Sequence, residues 1–376
     1  MSFYLERTIA SVIRGEIVGW KGKALRPFLR VLSWVYGLFS IIRNWAYDKG
    51  YFRSFRSSVP VVSVGNIVAG GTGKTPLVRM LSKYLSESVS LAIVSRGYRS
   101  KAEKMESPVF LSRGKELFYS SAFCGDEPCL LARALPGVSV IVGRDRLKAV
   151  DMAEKGGASM AILDDGMQHR RLQRDVELVV VDMAVPLGYG SFLPYGLLRE
   201  SPRALSRADM VFVNRVKDRK CFCAAKEKLR RYTEAPIVGT RVAADGLFDC
   251  KGNEIGISGG KKVGIFCGIA DPHAFRETVK DLECDIVEEL YFPDHIEASQ
   301  EELLWFSKRC HASGAELLLC TEKDAIKLDR ESVRFLALPL AYVKVSLELV
   351  EGEEHWEALL ASLKALVVRR VTGRGG

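Results

Sequence analysis

The stretch that most restricts what this chain can fold into is Val59–Pro76, VPVVSVGNIVAGGTGKTP. Val59–Val64 is a short valine-rich run and reads as a buried strand. Gly65, Gly70, Gly71, Thr72 and Gly73 follow, then Lys74 and Thr75. Beyond Pro76 the residues Leu77, Met80, Leu81 and Leu85 recur at helical spacing. Strand, glycine loop, Lys-Thr and helix is the context a phosphate-binding loop requires. The glycines let backbone N–H groups close around an anion, and the helix N-terminus adds partial positive charge. Gly70, Gly71, Thr72, Gly73, Lys74 and Thr75 are therefore the expected nucleotide-binding residues. Lys74 would reach the β/γ-phosphates and the Thr75 hydroxyl would serve Mg²⁺. The strict pattern asks for glycine where Val68 stands, so the loop is closer to variants in which a double glycine precedes Gly-Lys-Thr.

At 376 residues the chain suggests about two domains. Strand patterns recur at Ser90–Ser95, Val138–Val142, Ser159–Leu163, Glu177–Val181 and Met210–Val213, with helical patterns between several of them. This alternation predicts an α/β fold, a doubly wound and mostly parallel sheet over residues 57–235. Its ligands would sit beyond the carboxyl ends of the strands. The alternation resumes in 236–376, predicting a second, smaller α/β domain. Strands are expected at Pro236–Val242, Val263–Cys267, Asp285–Tyr291, Ala315–Cys320 and Leu340–Val345, and helices at Pro272–Asp281, Ser299–Ala312 and Glu354–Val367. The glycine-rich Ala244–Gly260 reads as a connector. The nine cysteines show no metal-ligand spacing and read as reduced thiols.

The net charge of +9 admits nucleic acid, an anionic membrane or a phosphorylated substrate. Its distribution chooses among them. Residues 1–56 hold ten Lys/Arg against three acids and three of the five tryptophans, Trp20, Trp34 and Trp45. The apolar run Val31–Ile42 is bounded by Arg30 and Arg43, and is short against the ~20 residues of a membrane span. Basic residues mixed with aromatics around such a run suit helices lying in a membrane interface, not a nucleic-acid surface. A buried helical hairpin is the structural alternative, and a single span would need the helix to extend toward Trp20.

Acids stand where a nucleotide site needs them. Ser159–Gly166, SMAILDDG, is an apolar strand ending in Asp164 and Asp165, at least one of which would hold Mg²⁺. Gly125–Pro128, GDEP, opens a helix. Asp126 sits where an N-cap belongs, but an aspartate at the ligand edge is also placed to take a hydroxyl proton. Arg96 and Arg99 of SRGYR are candidate phosphate contacts by charge. His295 of FPDH is a candidate proton-transfer group beside Asp294.

The ordered set GNxxxGGTGKTP, SRGY, GDEP, GRDR, LDDGxQHR, GxLRE, ADxVFVNR, FPDH and TEKD, over residues 59–328, resembles the tetraacyldisaccharide 4′-kinase family of lipid A biosynthesis. The resemblance implies a P-loop NTPase-like fold with two domains that close over Mg-ATP. It implies transfer of the γ-phosphate of ATP to the 4′-hydroxyl of a tetraacyldisaccharide 1-phosphate. It also implies a peripheral or monotopic place on the cytoplasmic face of the inner membrane. Carried onto matching positions, Asp126 is the general base with His295 as its partner. Lys74 serves the transferred phosphoryl, and Thr75, Asp164, Asp165 and Glu127 serve the Mg²⁺, while Arg96 is taken as a nucleotide contact from its charge alone. Arg199 and Glu200 match further site positions. The family's FPDH commonly continues with a second histidine, and here Ile296 stands there, while His273 is a rival partner. A monomer is expected. The alternative is a membrane-associated P-loop switch ATPase. Its loops carry a lysine just before the double glycine, where this chain has Ala69. A soluble small-molecule kinase would leave residues 1–56 without a purpose.

Overall fold

The computed structural model describes residues 20–256, 259–293, 298–328 and 333–372. One sheet runs through the whole molecule. Its strands are β1 Val61–Gly65, β2 Leu91–Ser95, β3 Val109–Arg113, β4 Glu116–Leu117, β5 Ser139–Val142, β6 Met160–Asp164, β7 Val176–Asp182, β8 Met210–Asn214, β9 Ile237–Asp249, β10 Glu254–Ile255, β11 Lys262–Cys267, β12 Asp285–Tyr291, β13 Leu317–Thr321 and β14 Leu340–Glu351. The spatial order is β12-β11-β13-β14-β9-β8-β7-β1-β6-β2-β5-β3-β4, with β10 folded back on β9. β7, β1, β6, β2 and β5 are mutually parallel, as the alternating pattern predicts.

Side-chain alternation along these strands sends each residue to one of two packed layers. Val62, Val64, Ile93, Val140 and Ile162 face helices α2 Lys74–Leu85 and α3 Asp126–Ala134. Val61, Ala92, Val94, Ile141 and Leu163 face α4 Arg146–Lys155. Val179, Val181, Val211 and Val213 face α5 Arg219–Arg230. In the second half α6 Pro272–Asp281 and α7 Gln300–Ala312 cover opposite faces of β11 and β13.

The two halves are stitched by one long ladder. β9 continues the first half by pairing parallel with β8, then runs antiparallel to β14 from Gly239↔Glu351 to Asp249↔Ala341. Half of the expected connector Ala244–Gly260 is thus strand. Gly246 (φ +136°) sits where the ladder is irregular, so its glycine marks a bulge in a strand and not a linker. β3 and β4 also went unpredicted. They form a short edge hairpin, only two residues long on its outer strand.

The last helix, α8 Glu353–Thr372, returns to the first half. Trp356, Leu359, Leu363 and Val367 share a core with Leu77 and Leu81 of α2. Trp356 is buried and packs edge-on against Phe212 and Tyr84 at 6.0 and 5.9 Å between ring centroids. At the other end of the chain, residues 20–48 form one helix, α1 Trp20–Asp48, which extends back to Trp20 as the single-helix alternative required and is not a hairpin.

Because Trp356 joins α8 to both β8 and α2, Trp356→Ala should lower the unfolding free energy by about 3–5 kcal/mol, measured by urea denaturation. Both halves should still melt together, since the sheet is continuous.

Candidate active site

The phosphate loop leaves β1 at Gly65 and enters α2 at Lys74. Gly70 and Gly73 hold φ +110° and +92°, values that only glycine adopts without strain. Gly73 is also crowded, since a Cβ there would lie 2.0 Å from Asn214 Nδ2. That amide donates to the Thr72 carbonyl at 3.0 Å, and its own oxygen accepts from the Thr240 hydroxyl at 3.3 Å. Thr72 Oγ1 accepts from Asn66 Nδ2 at 3.0 Å. The loop is therefore fixed by the ends of β1, β8 and β9.

Val68 and Ala69 pair with a second segment. Ala69 N donates to Leu197 O at 2.7 Å, Arg199 N donates to Ile67 O at 2.8 Å, and Val68 bridges Leu198. This brings Arg199 to the end of β6. Its Nη1 lies 3.0 and 2.9 Å from the two carboxylate oxygens of Asp165. Lys74 Nζ lies 3.4 Å from Asp165 Oδ1. Burial raises the Asp165 pKa, but Lys74 and Arg199 outweigh it and hold the carboxyl below the usual range. Asp164 behaves oppositely. Burial, then the charges of Glu127 and Asp165, push its carboxyl up to about 7, against the pull of Lys74 and Arg146. Ser95 Oγ donates to Asp164 Oδ2 at 3.2 Å. Glu127 is close enough to weigh on Asp164, so the GDEP turn faces the DDG turn.

Asp126 is the first residue of α3, and Gly125 (φ +95°) occupies the cap position expected for Asp126. Its carboxylate instead meets Lys327, with Nζ 3.3 Å from Oδ2. Glu127 faces Lys323 at 3.9 Å. Arg96 is half-exposed and paired with Glu103, Nε to Oε1 2.5 Å. His295 and Ile296 lie outside the described residues. The rival His273 is exposed on α6, near Glu289. His169 of the QHR run is held neutral, its pKa lowered to about 4 by burial and by Arg146 and Arg174.

Glu200 is buried at 1% exposure and gathers three partners. Asn44 Nδ2 donates to it at 2.5 Å, Gln168 Nε2 at 3.0 Å and Arg207 Nη2 at 2.7 Å. Asn44 belongs to α1. The inward face of that helix is Leu29, Ser33, Gly37, Ser40 and Asn44, a helical stripe of small and polar residues. Ser33 donates to Phe192 O at 2.7 Å and Ser40 to Arg199 O at 3.0 Å, while Gly37 leaves room for the Phe192 ring. The outward face is apolar and exposed, with Trp34 at 68% and Phe39 at 71%. Leu25–Asp48 is long and apolar enough to cross a membrane. Sequence reasoning missed Asn214, Thr240, Lys327 and Asn44. Only Asn214 fell inside a recognised motif, and polar residues at strand ends and on helices carry no signal of their own.

The sequence profile of the tetraacyldisaccharide-1-P 4′-kinase family matches residues 25–364. A tetraacyldisaccharide 4′-kinase of Syntrophus aciditrophicus is 36% identical over 350 residues, 89% of this chain and 92% of that protein. The Geobacter metallireducens protein of the same name is 37% identical over 324 residues, 85% and 93% of the two chains. A crystal structure of Aquifex aeolicus LpxK, described as a complex with ATP, superposes with a TM-score of 0.69 at 28% identity, covering 92% of this chain and 99% of that one. The chain belongs to the tetraacyldisaccharide-1-P 4′-kinase family.

Proposed function

We propose that the chain moves the γ-phosphate of ATP to the 4′-hydroxyl of a tetraacyldisaccharide 1-phosphate, with the residues above in the following roles. The observation that carries the reading is the convergence of Lys74, Asp164, Asp165 and Glu127 at the mouth of the phosphate loop. Gly70–Thr75 hold the ATP phosphates, and Lys74 offsets charge on the transferring phosphoryl. The charges of Glu127 and Asp165 weigh on the buried Asp164, whose carboxyl is pushed up to about 7, and a divalent cation would relieve that repulsion. Asp164, Glu127 and Thr75 fit Mg²⁺, with Asp165 held beside them by Lys74 and Arg199. When bound, Mg²⁺ neutralises charge on the phosphate oxygens. Among the described residues no three His, Cys, Asp or Glu side chains stand together as a ready metal cage. That suits a cation that takes one or two carboxylates and draws its other ligands from phosphate and water.

Asp126 accepts the proton of the sugar hydroxyl as its oxygen attacks phosphorus and the bond to ADP breaks. His295 supports it on the strength of the family pattern. α1 keeps the enzyme at the bilayer. Its hydrogen bonds to the body run from Arg30 to Asp48, so it lies along the protein and its Trp34–Phe39 face rests in the interface of the inner membrane, on the cytoplasmic side.

Incubation with radiolabelled ATP and a tetraacyldisaccharide 1-phosphate should label the lipid, seen by thin-layer separation. ATP consumption that ignores the acceptor would sink the reading in favour of a switch ATPase. Asp126→Asn should lower kcat by about 10²–10⁴-fold with ATP affinity kept. Gly73→Ala should displace the loop from Asn214 and weaken ATP binding about tenfold or more, read by calorimetry. Replacing Trp34 and Phe39 by Glu should cut sedimentation with anionic vesicles by about tenfold or more and leave the melting temperature unchanged, because both side chains are exposed.

A further inference from the structure

The assignment of Asp126 leaves one neighbour without a role. Lys327 closes the short segment Thr321–Lys327 after β13, so it comes from the far half of the sheet. Its side chain is 3% exposed, and Nζ lies 3.3 Å from Asp126 Oδ2 and 3.8 Å from Asp324 Oδ1. Among the described residues no hydrogen bond of ordinary geometry satisfies this ammonium. A buried charge of this kind is tolerated only through such pairing. Asp324 is itself fixed, since its Oδ2 accepts from Gly268 N at 3.1 Å and from Thr321 Oγ1 at 2.6 Å. The Gly268 amide after β11 and the Thr321 hydroxyl at the end of β13 thus hold Asp324, Asp324 holds Lys327, and Lys327 meets Asp126.

A simple staple between the halves would not need this arrangement. That task is served on the same segment by Arg79 of α2 and Glu322, 2.8 Å apart and both well covered. Lys327 is the deeper of the two cations and reaches the carboxylate proposed to take the hydroxyl proton.

We infer that Lys327 is a positioning residue for phosphoryl transfer: it holds Asp126 Oδ2 so that the other carboxylate oxygen is presented to the acceptor hydroxyl. The hydroxyl O–H bond breaks as the new O–P bond forms, the proton goes to that second oxygen, and the P–O bond to ADP breaks. Fixing one oxygen by a cation sets the orientation of the other, and orientation at this step is worth orders of magnitude in rate. The inference rests on the reading of Asp126 as the base.

The test compares kcat and KM for Lys327→Met, Lys327→Arg, Asp126→Asn, the Asp126→Asn/Lys327→Met pair and Arg79→Met in the full chain, each with its melting temperature. Lys327→Met should lower kcat about ten- to hundredfold with KM for ATP within about twofold. Lys327→Arg should regain part of the loss. The double variant should be no slower than Asp126→Asn, and Arg79→Met should keep the parental kcat. Lys327→Gln is read in the same way if Lys327→Met does not fold. Parental kcat in Lys327→Met beside an impaired Asp126→Asn overturns the inference. So do equal losses in Lys327→Met and Arg79→Met that follow melting temperature, or losses that multiply in the double variant. Parental turnover in Asp126→Asn instead removes the base assignment beneath it, a distinct result.

Discussion

Asp165 is held by two cations from different parts of the chain, and the site takes its shape from that grip. Lys74 reaches it from the phosphate loop and Arg199 from the segment that pairs with Val68 and Ala69. Asp165 itself sits at φ +53°, turned out of β6 just as the strand ends. Three pieces that share no sequence neighbourhood are brought to one carboxylate. Removing that carboxylate would leave two partly buried cations facing each other, which is far more costly than the pair is worth in isolation. The backbone strain at Asp165 is supported by this over-determination.

Adjacent acids end in opposite electrostatic states because Asp164 closes β6 while Asp165, at φ +53°, has already turned out of the strand. Asp165 turns toward Lys74 and Arg199 and stays charged, while Asp164 turns inward to Ser95 and toward Glu127, where its charge is resisted. Environments that push paired carboxyls apart are how one site obtains two kinds of group from one residue type. The departures of the loop from the strict pattern have a similar local cause. Val68 is buried and bridged to Leu198, with the backbone of Gly188 passing close by, so a side chain is wanted where other loops carry glycine.

Much of the fold was legible because the central strands are continuous apolar runs punctuated by glycine and charge. β1, β2, β5, β6 and β8 lie within a residue or two of where their patterns end. β9 and β14 were read too short, since their outer halves alternate only partly and Gly246 imitates a loop. The edge strand β4 is only two residues long, and β3 has an apolar run of just three, Val109–Leu111, too short to announce a strand. At the site, spacing could place Lys74, Asp164 and Asp165 on strand and helix ends. It could not show that Gly125 takes the cap of α3 and releases the Asp126 carboxylate for Lys327. A lysine at the end of a short helical turn looks like solvated surface until the sheet folds it against another half of the chain.

The polar inner stripe of α1 has a geometric result of its own. Ser40 touches the Arg199 carbonyl on one side, and the exposed face of Phe39 and Trp34 lies on the other. A helix with side chains is about 10–12 Å across. That thickness is the stand-off between the apolar surface and the residue that grips Asp165. On the proposed placement of that surface in a bilayer, a lipid-linked sugar would have to rise by about one helix diameter to reach the phosphate loop.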